Sequence, residues 1–180
     1  MKLSRIKSRC KAKKTCYILQ DVDAATQWVS NGIAAYKIDG IWLDENAIKA
    51  IFDIPQKEWE NGWTHGTIDI KDTYNVSKMI AVVWDASTEV ELIPDPMRII
   101  WREEIRRFET PDGRSIYAPA DDFDPIDGNV RYALRHLDGE DDVIAVYRDL
   151  LCEGAVGSFS RGAGEKINEH LKKCAFADLY

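Results

Sequence analysis

Three histidines, His65, His136 and His170, are the whole stock of imidazoles in this chain, so acid–base and metal schemes have few starting points. None stands in an HExxH arrangement or beside a second histidine, the spacing that puts two ligands on one helical face. One grouping remains. His65, Asp69 and Asp72 would gather around a divalent cation if the segment between them bends, which is the reading of a metal-dependent hydrolase or nuclease. A solvent-facing strand and turn account for the same residues, because Asp is common in turns. The expectation is a non-enzymatic protein with no catalytic residue, no cofactor and no metal.

A glycine-rich stretch at residues 157–166 places several glycines before a predicted helix, as a phosphate-binding loop does. The decisive positions differ. A P-loop has Lys and then Ser or Thr directly after its last Gly, whereas here Glu165 follows Gly164 and Ile167 follows Lys166. The stretch reads as a flexible connection between helices.

Charge is the clearest feature. Lys2, Arg5, Lys7, Arg9, Lys11, Lys13 and Lys14 precede the first acid, Asp21, in a chain of net charge −7. Removing those seven cations leaves the rest near about −14, so residues 1–15 read as a basic arm on an acidic body, residues 16–180. Such an arm attracts polyanions. A second cluster runs the other way: Asp121, Asp122, Asp124, Asp127, Asp138, Glu140, Asp141 and Asp142 put eight acids within 22 positions. An EF-hand is excluded, because counting from Asp122 sets Ile126 at position five and Ala133 at position twelve. Asp141 and Asp142 fall in the first turn of a predicted helix, where the macrodipole favours acids. The functional reading is an acidic surface competing for a basic, nucleic-acid-binding groove on a partner.

Six tryptophans, Trp28, Trp42, Trp59, Trp63, Trp84 and Trp101, lie in the first 101 residues. Most fit a core. Trp59 and Trp63, in the polar stretch 56–65, are the aromatic contacts expected at an interface.

The elements that would position these residues divide by period. Residues 16–20 and 33–38 read as strands, the second after an Asn31-Gly32 turn. A helix opens on Asp44 as N-cap, repeats Ala47, Ile48, Ile51 and Phe52, and is stopped by Pro55. The middle third, 67–70, 78–84, 89–93, 98–101 and 105–109, forms an antiparallel meander. A hairpin at 107–117 turns on Pro111-Asp112-Gly113. Apolar spacing predicts helices over 130–137 and 143–151, and a last helix over 165–173. Strands first and helices later give an α+β fold, one domain with the meander packed against C-terminal helices.

The chain is long enough for a real core without staples. Cys10, Cys16, Cys152 and Cys174 match no CxxC or Cys/His pattern and read as reduced thiols of a cytoplasmic protein. The longest purely apolar run, 79–84, is far short of the roughly 20 residues that cross a bilayer. The partner expected is a protein or ribonucleoprotein, with no membrane.

A resemblance sharpens that partner. Arg9-Cys10-Lys11, Lys14 to Ile18, Gln27-Trp28-Val29, Gly32, Ala35-Tyr36, Gly40 and Ile51 to Ile54 look like the opening of small phage and prophage proteins of gut Firmicutes. The likeness covers roughly residues 9–60, under a third of the chain. The group is similar to ones that include anti-CRISPR inhibitors of type II Cas9. That resemblance implies a non-enzymatic inhibitor, of a bacterial host's cytoplasm, that binds Cas9 with its guide RNA and hinders DNA engagement. It brings no catalytic residues. A phage structural or assembly component is the other alternative to the hydrolase.

Overall fold

A computed structural model describes residues 3–81, 83–126, 128–137 and 142–177. Ten strands form its centre: β1 (Thr15–Asp21), β2 (Thr26–Ser30), β3 (Ala34–Ile38), β4 (Thr64–Asp69), β5 (Glu89–Ile100), β6 (Glu104–Glu109), β7 (Ser115–Pro119), β8 (Arg131–His136), β9 (Asp142–Arg148) and β10 (Leu151–Gly157). They lie in the order β4-β1-β2-β3-β10-β9-β8-β5-β6-β7, antiparallel at every pairing except β1 with β4. Around them stand α1 (Leu3–Lys13), α2 (Glu45–Phe52), α3 (Gln56–Gly62), α4 (Tyr74–Met79) and α5 (Arg161–Ala177).

Both faces of the central strands are covered, and the period of two decides which side chain goes where. Ile18, Tyr36, Ile144 and Val146 face a core closed by Ile6 and Cys10 of α1, Ile48 and Phe52 of α2 and Trp59 of α3. Leu19, Trp28, Ala145 and Tyr147 face the opposite core, with Ile70 and Ile80. A third cluster, Ile99, Ile105, Tyr117 and Ile167, seats α5 on β5 to β7.

Strand β5 belongs to two neighbourhoods. Residues Glu89 to Leu92 pair with β8, and from Ile93 onward the strand pairs with β6, with a register shift between Pro94 and Arg98. Pro has no N–H for a ladder, so a shift around Pro94 and Pro96 is where the sheet turns toward α5. The root of β5 is pinned by a buried cluster. Arg135 donates to Glu89 at 2.7 Å and to the carbonyls of Lys78 (3.2 Å) and Ala81 (3.1 Å), closing the end of α4, while Tyr147 donates to Glu89 Oε2 at 2.6 Å.

Mixed α and β content with a large sheet agrees with the sequence reading; the arrangement differs from it. Residues 130–137 and 143–151 are β8, β9 and the start of β10, not helices. In β9 the run Val143 to Tyr147 is buried on both faces, and a continuous apolar run carries no period that separates helix from strand. Residues 78–84 hold the end of α4 and an isolated bridge, Val83 with Leu151, rather than a strand. Among the described residues four α-helices precede β5, and α5 alone follows the last strand. The hairpin at 107–117 forms, with Gly113 at φ 81° and Thr110 N–H donating to Arg114 O at 2.9 Å. Asp44 caps α2 through Ala47 N–H at 2.7 Å; the helix ends earlier than Pro55, on a left-handed Asp53.

Candidate functional site

The segment read as a basic arm is helix α1, and two of its cations are turned toward the acidic cluster. Ile6 and Cys10, one helical turn apart, are fully buried, which fixes the rest of the helix face by face. Arg9 Nη1 then meets Asp121 Oδ2 at 2.5 Å, and Arg5 Nη1 donates to the carbonyl of Asp124 at 2.6 Å. Lys11 reaches the carbonyl of Asp53 at 3.4 Å. Lys7 is half-buried, whereas Lys13 and Lys14 are exposed. Lys2, Asp127, Asp138, Glu140 and Asp141 lie outside the described residues.

Asp122 is not part of a surface. It is 2% exposed; its Oδ1 accepts from Asn31 Nδ2 at 2.8 Å, and its carbonyl accepts from the Tyr36 hydroxyl at 2.9 Å. Asn31 in turn accepts from the N–H groups of Ile33 and Ala34, so Asp122 braces the β2–β3 turn. Burial pushes its carboxyl above the usual range, against the lowering effects of Asn31, Lys13 and Arg9. Its Oδ2 and Arg9 Nε are buried with no hydrogen-bond partner.

The other expected sites are dispersed. Trp59 is 4% exposed, stacked on Trp63 at 5.6 Å and on His65 at 4.3 Å, which makes it core; Trp63 is half-buried. His65 pairs with Glu45 at 3.0 Å, while Asp69 caps the turn Ile70–Asp72 through Lys71 N–H at 3.0 Å. His65, Asp69 and Asp72 therefore form no joint site. Among the described residues no group of three or more His, Cys, Asp or Glu is placed to hold a metal ion.

A wide cleft lies where the sequence offers only a connection. A cleft of about 900 Å³ opens between the β6–β7 hairpin (Gly113 to Tyr117), His136 and Asp142 of β8 and β9, the loop Ser158 to Ser160 and the side of α5. Its loop is strapped down: Ser158 gives both its N–H (3.0 Å) and its hydroxyl (2.9 Å) to the carbonyl of Asp142, and Phe159 N–H donates to Tyr117 O at 2.8 Å. Tyr117 ties the hairpin to α5 by donating to Asn168 Oδ1 at 2.5 Å.

The cations that line this cleft are Arg114, Arg161 and Lys172; its carboxylates are Asp142 and Glu165. A second cleft of about 380 Å³ shares Ser160 and Gly162 with it and adds Trp101, Arg102 and Lys166. Among the described residues the two carry five Arg and Lys side chains against two carboxylates, on a chain of net charge −7. The internal pairings are weak: Arg161 stands 3.6 Å from Glu165 with both side chains largely exposed, and Arg114 to Asp112 at 2.9 Å is half-exposed. His136 Nδ1 is 2.6 Å from Asp142 Oδ1, and the Ser158 hydroxyl gives its proton to the carbonyl of Asp142 rather than to that imidazole. An excess of exposed cations in a concavity favours anions electrostatically.

No family model, no curated protein and no solved structure matches the chain. Among the described residues, no helix is long and apolar enough to cross a membrane.

Proposed function

We propose that this protein acts by stoichiometric binding to a macromolecule, without turnover, and that its target is a ribonucleoprotein. The observation that carries the reading is the strapped, cation-lined cleft on an otherwise acidic chain. A cationic concavity concentrates phosphate locally, even on a chain of net charge −7. The resemblance at residues 9–60 makes the particular target a Cas9 and guide RNA complex, with hindered DNA engagement as the effect. Binding through Asp121 and Asp124 is the weaker version, because Asp121 is paired with Arg9 of the same chain.

Titration of purified Cas9 and guide RNA in a DNA-cleavage assay tests this. Inhibition that saturates near a fixed molar ratio, is unchanged when EDTA is added before the assay's magnesium, and leaves RNA and protein unmodified is the expected result. Turnover at substoichiometric protein, lost in His136→Ala, would replace the binder with a hydrolase centred on the His136 and Asp142 pair. No inhibition at any ratio removes Cas9 as the target.

A further inference from the structure

We propose that single-stranded nucleic acid lies across the two clefts, its phosphates among Arg114, Arg161 and Lys172 and one base stacked on Trp101. The proposal rests on the binder reading above and adds which polymer is taken and where.

Spacing argues for a polymer over a small anion. Eleven residues separate Arg161 from Lys172 on α5, about 16 Å along a helix axis. One phosphate cannot span that distance, whereas a nucleic-acid strand presents charge every 3.4 Å or so of rise. Arg114 on the hairpin stands on the opposite wall, so a strand in the larger cleft meets cations on both sides. The carboxylates present, Asp142 and Glu165, are already occupied by His136 and Arg161, and those half-exposed pairings exchange readily for phosphate.

The smaller cleft decides between one strand and two. Trp101 is 37% exposed, sits at the β5–β6 turn with its backbone N–H donating to Glu103 O at 3.1 Å, and meets the His170 ring edge-on at 4.7 Å. Arg102 and Lys166 flank it, with no carboxylate among the described residues that line the same cleft. A cationic groove with an accessible indole is the arrangement on which unpaired bases stack; in a duplex those faces are hidden. Gly162, shared by both clefts, keeps the passage between them low: a Cβ built there meets nothing within 4 Å.

Fluorescence anisotropy of the full chain with labelled U20, dT20 and a 20-base-pair DNA duplex tests the proposal. Both single strands should bind more tightly than the duplex, and a difference between U20 and dT20 reports whether the 2′-hydroxyl is read. Trp101→Ala should weaken single-strand binding about tenfold or more. Gly162→Glu, which introduces an acid where an added Cβ meets nothing within 4 Å, should weaken it comparably at an unchanged melting temperature, so the result does not hang on the tryptophan's role in folding. No single-strand binding, equal binding of the duplex, or indifference to both substitutions overturns the proposal. Failure of the two readings is separable. A protein that binds U20 but leaves Cas9 and guide RNA untouched sinks the ribonucleoprotein target alone, and one that inhibits the complex while ignoring free strands sinks this inference alone.

Discussion

Two charged regions of this molecule are put to opposite uses. At the α1 junction Arg5 meets the carbonyl of Asp124, Arg9 meets Asp121 and Asp122 is buried on Asn31, whereas around α5 Arg114, Arg161, Lys166 and Lys172 face open clefts. The first region is richer in charge along the sequence. The second is richer in charge that a partner can reach. Where the charges point, not how many there are, separates a structural contact from a candidate interface.

The sharpest way to test the inward half is its extreme case, the buried Arg135 and Glu89 pair, whose side chains are 5% and 3% exposed. Glu89→Ala leaves a buried guanidinium uncompensated, which costs about 3–5 kcal/mol in such pairs, and should lower the urea midpoint accordingly. Arg114→Glu combined with Lys172→Glu should do the reverse, changing stability by less than about 0.5 kcal/mol each while cutting polyanion affinity strongly at low salt. If the double reversal unfolds the protein, or leaves affinity intact, the outward half of the comparison fails.

Asp122 gives a test with a sign. Its folded-state carboxyl is raised above the ordinary value of 3.8, first by burial, so the native state holds a proton that the unfolded chain gives up earlier. Stability therefore falls as pH rises from that ordinary value through the raised one and stays at the lower level above it. Asp122→Asn keeps an acceptor for Asn31 and removes the buried charge; it should raise the melting temperature at neutral pH, and the gain should vanish at pH below the ordinary value. A lower melting temperature at neutral pH would mean that attraction to Arg9 and Lys13 outweighs burial. The smallest effect belongs to Asp121→Asn. Arg9 and Asp121 side chains are 21% and 62% exposed, and solvent screening holds such a pair to about 1 kcal/mol or less.

The sequence shows the charges of the first region without their mutual contact and leaves the second nearly invisible, for physical reasons. Short-range signals were read well: the Asp44 cap, the Pro111-Asp112-Gly113 turn and the strand around Ile18 each rest on neighbours a few residues away. Strands β8 and β9 were read as helices because burial on both faces erases alternation, and Val130, Ala133, Leu134 and Leu137 match a helical stripe by coincidence. β2 was missed because Gln27 and Ser30 look like surface, although both are buried and Gln27 Nε2 donates to Leu43 O at 2.8 Å. The α5 cleft joins Arg114, His136, Ser158 and Lys172 from four elements, and no pattern along the chain announces that meeting. Its one local trace was the glycine-rich stretch at 157–166, set aside because it failed as a P-loop.

On the binding proposed above, polyanions engage the α5 clefts and not α1. The salt dependence of U20 affinity decides it, measured for the parent chain, for Arg114→Glu with Lys172→Glu, and for Lys11→Glu with Lys13→Glu and Lys14→Glu. Each phosphate neutralised on a single strand contributes about 0.7 to the slope of log affinity against log salt. The cleft variant should lose about 1.4 or more of that slope, and the α1 variant should keep the parent value. A slope retained by the cleft variant and lost by the α1 variant would contradict the account and return the binding surface to the N-terminal helix.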